Sequence, residues 1–455
     1  MSFLPLYLFL TLLSKSLFQE AIEDIHFVLI HSRHGARAPI QLDLNNTDIF
    51  GNKWEGQSEL TETGVKQQYL IGLRNSIVYK NLYNPDYKNK EILVYSTNLN
   101  RTIMSAQAQL LGMYNNVHYN FESKNIKNVS QIDINNFDFD YDYFHYYPVP
   151  IHTYEEKKIN GVTKMILVMD YLWPRRCKRN LDKINKNIKN ETLTKKKVED
   201  MINKYFTDKD KEKYNTKKNN IQKNFNLIHR FCDVIISSYY EGKKIERIDL
   251  NDAKNDCDNF EFWKQVEIEQ SYHAKDSGIY TMSLMMDNLL YWMEGRIKQK
   301  NLDEKSGFPK IVLYMGHDTT LIAMQRFLKD ALKNDINKTF SQTPFASTQF
   351  FELRKKDKDI YYVLIFYDNE KVYEQPFNVF NNSVRKIMVP QLNVISYCEG
   401  MSYDEKIFVI LLCLFIFLLV VCCGLVYLFF NKIKKENDKI INKNVLNNEN
   451  TSNIT

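Results

Sequence analysis

Residues 25–40 read IHFVLIHSRHGARAPI, and the fold turns on how that stretch is read. Its first six residues are apolar and rich in β-formers, as expected of a short strand buried on both faces. The next seven crowd together His31, Arg33, His34 and Arg37, and Pro39 closes the run. A buried strand thus delivers cations to its carboxyl end. In open α/β sheets that end is where ligands bind.

Two further stretches repeat the pattern. EILVYS (91–96) reads as a strand, followed by TNLNRT and a helix with Ile103, Ala106, Leu110 and Met113 on one face. IVLYM (311–315) reads as another strand, followed by GHDTT and a helix with Leu321, Met324 and Leu328 on one side. ELTETGVKQQYLIGLR (59–74) predicts a helix with Thr61 as N-cap. Strands alternating with helices predict an α/β fold with a mostly parallel central sheet flanked by helices. Residues 348–375 read as antiparallel strands at a sheet edge, and the Met/Leu run 282–293 as a core-facing helix. The core then covers about 24–118 and 271–400. Residues of about 119–270, Asn/Lys/Tyr-rich and without the repeat, form a smaller, mainly helical cap. The Lys/Asn tract 178–224 within it reads as solvated surface.

In such a sheet Arg33, His34, Arg37, Arg101, His317 and Asp318 meet at one end. Three arginines and two histidines in one pocket make an anion site, because the planar guanidinium fork matches phosphate oxygens. A histidine inside that cluster stays neutral, since nearby positive charge disfavours imidazolium, and its lone pair is free to attack phosphorus. Asp318 supplies an acid to protonate a departing alkoxide. Acidic pH suits a protonated Asp318 beside a neutral His34. Arg101 near a helix N-terminus opposes the helix dipole, which favours a functional role for it. His31, following the buried strand, reads as a structural residue.

The ends of the chain predict its compartment. FLPLYLFLTLL (3–13), followed by Ser14 and Ser16, reads as a signal peptide over residues 1–16. Residues 407–430 are uncharged and long enough to cross a bilayer. Lys432, Lys434 and Lys435 follow, which puts the C-terminus in the cytoplasm. The predicted protein is a single-pass type I membrane protein with a lumenal or extracellular domain over 17–405. Its Asn/Lys-rich tail, 431–455, reads as disordered and has no tyrosine-based sorting signal, so cell surface and endolysosomal membrane are both open. Sequons at Asn45, Asn100, Asn128, Asn190, Asn337 and Asn381 suit a secreted surface; Asn100, beside Arg101, is expected to be unmodified. Cys177, Cys232, Cys257 and Cys398 make an even count outside the span, with three pairings open. The net charge of +6 sits largely in Lys/Asn stretches and predicts no nucleic-acid partner.

Together, RHGARAP (33–39), STNLNRTIMSAQAQLLGMY (96–114) and GHDTTL (316–321) resemble the histidine acid phosphatases, branch 2 of the histidine phosphatase superfamily. LTETGVKQQYLIG (60–72) and VPIHT (149–153) are similar to the same family, so the likeness spans about residues 25–400. The signal peptide and single span are similar to lysosomal-type membrane members. The resemblance implies a phosphoglycerate mutase-like fold and an acid phosphatase acting on a small phosphomonoester, with no metal or other cofactor. It implies His34 as the nucleophile that becomes phosphohistidine. Arg33, Arg37, Arg101 and His317 would hold the phosphoryl group, and Asp318 would be the proton donor. It implies a Cys177–Cys398 disulfide. Cys232 has a family counterpart whose expected partner is absent, which leaves Cys257 and an open pairing. Relatives are often homodimers. Tyr95 stands where relatives often carry arginine, which would alter the outer pocket, and PIHT would help shape that pocket. HD in place of HAE argues against the multiple inositol polyphosphate group. Narrower phosphatases of phytate, another inositol phosphate or lysophosphatidic acid are the alternative substrate readings. A catalytically silent membrane receptor is the alternative class.

Overall fold

The computed structural model describes residues 25–114, 148–167, 192–269, 275–299, 307–390 and 403–451, with a few short breaks inside these spans. The chain divides into two units, Met1–Cys398 and Glu399–Thr455. The first opens with β1 (Ile25–Arg33), α1 (Glu62–Val78), β2 (Ile92–Ser96) and α2 (Asn100–Met113). It continues through β3 (Tyr154–Ile159), β4 (Val162–Leu167), α3 (Thr192–Tyr205), α4 (Asp208–Lys213), α5 (Ile221–Tyr240) and α6 (Leu250–Trp263). The last of these runs into a π-helical turn, Lys264–Glu269. Then follow α7 (Lys275–Lys298), β5 (Ile311–Gly316), α8 (Asp318–Leu332), β6 (Thr348–Asp357), β7 (Ile360–Tyr367), β8 (Glu370–Pro376) and α9 (Phe377–Ile387).

Six strands form one sheet in the order β2-β5-β1-β6-β7-β8. β2, β5 and β1 are parallel, whereas β6, β7 and β8 continue the sheet antiparallel. The sheet is therefore mixed, with two parallel and three antiparallel pairings, and less parallel than the alternating pattern suggests. The reason is local: very short connections join β6 to β7 and β7 to β8, and a parallel pair needs a crossover of a dozen residues or more.

β1 shows why its sequence lacks alternation. Phe27 and Leu29 face a layer made by Met282, Met286 and Leu290 of α7 and Met324, Phe327 and Leu328 of α8. Val28 and Ile30 face the opposite layer, where Ala106, Leu110 and Met113 of α2 pack with Val94, Leu313 and Met315. A strand covered on both faces has no side to leave polar. The helix forecasts hold: Thr61 caps α1 by accepting from the Gly64 N–H, and the apolar stripe of α2 is buried at Ala106, Leu110 and Met113.

The cap has its own core, in which Phe206, Phe225, Phe231 and Phe260 surround a Cys232–Cys257 disulfide joining α5 to α6. This fills the pairing left open by the sequence. Cys177 and Cys398 lie outside the described residues, as do the predicted signal peptide and the sequons at Asn128 and Asn190. The cap also contains a hairpin, β3–β4, that the helical reading misses. The dipeptide between its strands is Asn160-Gly161, a strong two-residue hairpin signal.

The described residues of the second unit form one helix, α10 (Tyr403–Thr451), whose candidate span, Ile410–Asn437, contains an 18-residue window of mean hydropathy 3.1. At 1.5 Å per residue those 28 residues exceed the roughly 30 Å a bilayer core requires. The helix runs on through the tail, where composition predicts disorder. An already nucleated helix extends into the Asn/Lys-rich tail without a new nucleation cost.

Candidate active site

The parallel half of the sheet assembles the site. β1 and β5 are paired through Arg33↔Gly316, so both strands end at the same level. The His34 N–H donates to the Gly316 carbonyl at 3.1 Å, and the Thr97 N–H to the Met315 carbonyl at 3.1 Å. The loops after β1, β2 and β5 therefore open together. All six residues singled out from the sequence, Arg33, His34, Arg37, Arg101, His317 and Asp318, line one pocket of about 110 Å³.

Helices α1 and α2 fix the first loop from behind. Gln67 accepts the Ala36 N–H at 2.8 Å, Gln68 donates to the Arg33 carbonyl at 2.8 Å, and Ser105 accepts the Gly35 N–H at 3.1 Å. Gln109 donates to both Ser32 Oγ and Gln68 Oε1. The loop backbone is so close to α1 that a Cβ at Gly35 would lie 2.2 Å from the Gly64 carbonyl oxygen. Only glycine fits there, which explains the Gly of the RHG motif.

His34 Nδ1 sits 2.8 Å from the Gly35 carbonyl oxygen. A carbonyl only accepts, so Nδ1 carries the hydrogen and Nε2 keeps its lone pair. Burial, reinforced by Arg101, Arg33, His317 and Arg37, pulls His34 well below the ordinary imidazole range. The same forces pull His317 down, burial first and then Arg101, against a smaller opposing pull from Asp318. The His34 and His317 rings lie 5.5 Å apart. His317 Nε2 meets Thr97 Oγ1 at 3.0 Å, and Thr97 meets Thr102 Oγ1 at 2.9 Å. Thr102 donates to the Thr97 or Leu99 carbonyl, so Thr97 donates to Thr102, and His317 Nε2 donates to Thr97.

The arginines are held on one side and left free on the other. Arg33 donates to the Thr343 carbonyl at 2.5 Å and pairs with Asp318 at 3.2 Å, with its guanidinium over the Phe345 ring at 4.3 Å. Arg37 pairs with Asp233 at 2.7 Å, and Arg101 donates to Ser58 Oγ at 2.8 Å. The Nε–H of each of the three is buried without a protein partner. Buried unmatched donors are costly, and an anion in the pocket would relieve that cost. Burial, with Arg37 beside it, lowers Arg101 to about 10, so it stays a cation at any physiological pH. Among the described residues no cluster of three or more His, Cys, Asp or Glu side chains is arranged to hold a metal ion.

Sequence reasoning missed the cap side of the pocket. α5 contributes His229, Asp233, Ile236 and Tyr240, α6 contributes Asp258, Glu261 and Phe262, and the π-helical turn contributes Lys264. Asp233 is the most telling omission: it grips Arg37 and also accepts the Ile40 N–H at 2.6 Å. Its one sequence signal is its place next to Cys232, whose disulfide fixes α5. Glu261 binds His229 at 2.7 Å and also Lys264; burial pushes its carboxyl up, but these two neighbours hold it down at about 2.

Tyr95 and His152 are not among the residues lining this pocket. Tyr95 stacks on Tyr314 at 5.0 Å and on Trp292 at 6.4 Å, so its ring fills a sheet face. The PIHT segment forms a bridge along the outer edge of β2, Tyr95↔His152, and His152 is exposed there. Along a strand successive side chains alternate faces, so neither position points toward the strand ends. His31 is structural, as expected: it is fully buried and bonded to Thr320 at 3.1 Å. Thr320 in turn bonds both the N–H and the carbonyl of His317.

Residues 24–368 match the family model of the histidine phosphatase superfamily, branch 2. The chain is 24% identical over 356 residues to the lysosomal acid phosphatase of Rattus norvegicus, covering 76% of this chain and 71% of that one. It is 24% identical over 355 residues to the prostatic acid phosphatase of Bos taurus, covering 77% and 79%. Among solved structures it is similar to the phytase from Citrobacter braakii, with a TM-score of 0.54 at 12% identity, covering 81% of this chain and 98% of that one. The Hafnia alvei phytase in complex with myo-inositol hexakis sulphate is similar at a TM-score of 0.54 and 13% identity, with the same coverage. These two likenesses establish the fold, and the family match with its acid phosphatase relatives establishes the class of activity. The chain belongs to branch 2 of the histidine phosphatase superfamily and is a phosphatase.

Proposed function

We propose that this phosphatase hydrolyses phosphate monoesters at acidic pH through a phosphohistidine at His34, with Asp318 as proton donor. The observation that carries the reading is the His34 imidazole, fixed with its hydrogen on Nδ1 and its Nε2 lone pair free, among three guanidinium groups. Arg33, Arg37 and Arg101 bind the phosphoryl oxygens, and His317 joins them when the phosphate dianion favours its imidazolium form, which adds a second N–H donor while Nε2 stays on Thr97. His34 Nε2 forms a bond to phosphorus as the ester P–O bond breaks, and the departing oxygen takes the proton of Asp318. The Asp318 carboxylate then removes a proton from water as that water attacks phosphorus. The P–N bond breaks, and phosphate leaves. An incoming phosphate competes for Arg33, loosening its 3.2 Å pair with Asp318. Burial, reinforced by cationic surroundings, keeps His34 neutral well into the acid range, which is what an acid phosphatase needs. The test is p-nitrophenyl phosphate hydrolysis over about pH 4 to 8 without added metal. Activity near pH 5 that His34→Ala abolishes is expected; a rate rising steadily into alkaline pH would overturn the reading.

The second unit supports a reading of the compartment. An apolar helix followed by Lys432, Lys434 and Lys435, with relatives named for the lysosome, supports a single-pass type I protein whose site faces a lumen or the outside. Protease added to sealed cells or vesicles should remove only one side. Loss of the C-terminal tail with the phosphatase domain protected is expected of inside-out vesicles, and the reverse pattern would refute the topology.

A further inference from the structure

We infer that the cap restricts this site to singly phosphorylated esters with an uncharged leaving group and excludes polyphosphorylated substrates such as inositol hexakisphosphate. The inference rests on reading the His34 pocket as the phosphatase site and names what that site accepts. It runs against the likeness to phytases, because it depends on the side chains lining this pocket and not on the shared fold.

The charge around the pocket is divided. At its floor three guanidinium groups, Arg33, Arg37 and Arg101, face two carboxylates, Asp318 on Arg33 and Asp233 on Arg37, which leaves a positive surplus for one phosphate. On the cap side the balance is reversed, with Asp258 and Glu261 against one lysine, Lys264, among the described lining residues. That lysine is nearly fully buried, and its Nζ is committed to Glu261 and His229. His229 itself bonds Glu261 at 2.7 Å. Asp258 is paired with Lys254 at 2.7 Å, and Asp233 with Arg37. Among the described residues lining the pocket, a second phosphate on the substrate would thus meet carboxylates and no uncommitted cation. Desolvating such a phosphate there without compensation is costly.

What the cap wall does offer is apolar. Ile236, Tyr240 and Phe262 line it, and the Tyr240 ring stands edge-on to Phe345 at 5.3 Å. Phe345 also lies under the Arg33 guanidinium, so an apolar surface runs from the phosphate cluster to the cap. A neutral ring or chain attached to the phosphate packs against that surface.

The test uses the full-length chain in detergent and compares kcat/KM for p-nitrophenyl phosphate and myo-inositol hexakisphosphate. A preference of at least about 100-fold for the monoester is expected, since an unpaired buried charge discriminates strongly. Asp258→Asn, which removes a cap carboxylate without touching the phosphate cluster, should narrow that preference several-fold. Hexakisphosphate turned over within about tenfold of the monoester would overturn the inference and leave the proposed chemistry standing. No turnover of either compound would sink the proposed chemistry instead. Binding then decides the inference: retention of inorganic phosphate but not of myo-inositol hexakissulfate supports it, and tight hexakissulfate binding refutes it.

Discussion

His34 and Asp318 have separable tasks, and their variants should fail in different ways. If Asp318 protonates the leaving oxygen, Asp318→Asn should cost about 10²–10⁴ in kcat/KM, which reports phosphoenzyme formation and not the shared hydrolysis step, with an alkyl phosphate and much less with p-nitrophenyl phosphate, whose phenolate leaves unaided. Equal losses on both substrates would argue that Asp318 acts only by holding Arg33. Thr97 is a positioning residue, since it reaches the chemistry only through His317. Thr97→Val keeps the shape and removes the acceptor, so kcat should fall roughly tenfold while KM and the thermal midpoint barely move. A large rise in KM would place Thr97 in substrate binding instead. The six pocket residues could be picked out in the sequence because each follows a strand and shares one chemistry. Asp233 could not, because a lone aspartate in an amphipathic helix looks like an ordinary surface charge, and its partner Arg37 is 196 residues away.

At the scale of elements, the loop after β1 depends on its contact with α1. Gly35→Ala would drive a methyl group into the Gly64 carbonyl, and overpacking of this kind costs about 1–3 kcal/mol. Lost activity with a lowered thermal midpoint is expected, and an unchanged midpoint would contradict the packing. The turn joining β7 and β8 carries a pH dependence of its own. Burial raises Asp368 from its ordinary 3.8 to about 6, while its carboxylate accepts the Thr348 N–H at 2.8 Å. Folding therefore favours the protonated form. The contribution of this group to stability is complete below about pH 4 and lost as pH rises through about 6. Asp368→Asn keeps the acceptor and the positive φ of 53°, which asparagine tolerates. The variant should match the parent at pH 4 and exceed it in thermal midpoint at pH 7. An equal difference at both pH values would rule out the titration. The strands and helices of the core were legible because burial on both faces leaves unbroken apolar runs. The β3–β4 hairpin was not, because its charged strands mask the turn signal between them.

In the molecule as a whole, chemistry and selectivity come from different parts of the chain. The sheet supplies the phosphate cluster, and the cap supplies the opposite wall through α5 and α6. The Cys232–Cys257 bridge ties those two helices together across 25 residues. Closing a loop of that size contributes roughly 3 kcal/mol. Replacing both cysteines by serine should lower the thermal midpoint and loosen substrate selectivity more than it lowers kcat on p-nitrophenyl phosphate. Unchanged selectivity would separate the bridge from the pocket. The cap resisted reading from sequence because its Lys/Asn-rich surface hides a small core of four phenylalanines around that bridge. The central claim is that phosphate passes through His34. It is tested most directly by mixing the enzyme with substrate, quenching in alkali, where phosphohistidine survives, and mapping the phosphate by mass spectrometry. Phosphate on the peptide carrying His34, formed within one turnover and absent from His34→Ala, is the predicted result. Steady turnover with no phosphate ever found on His34 would contradict it.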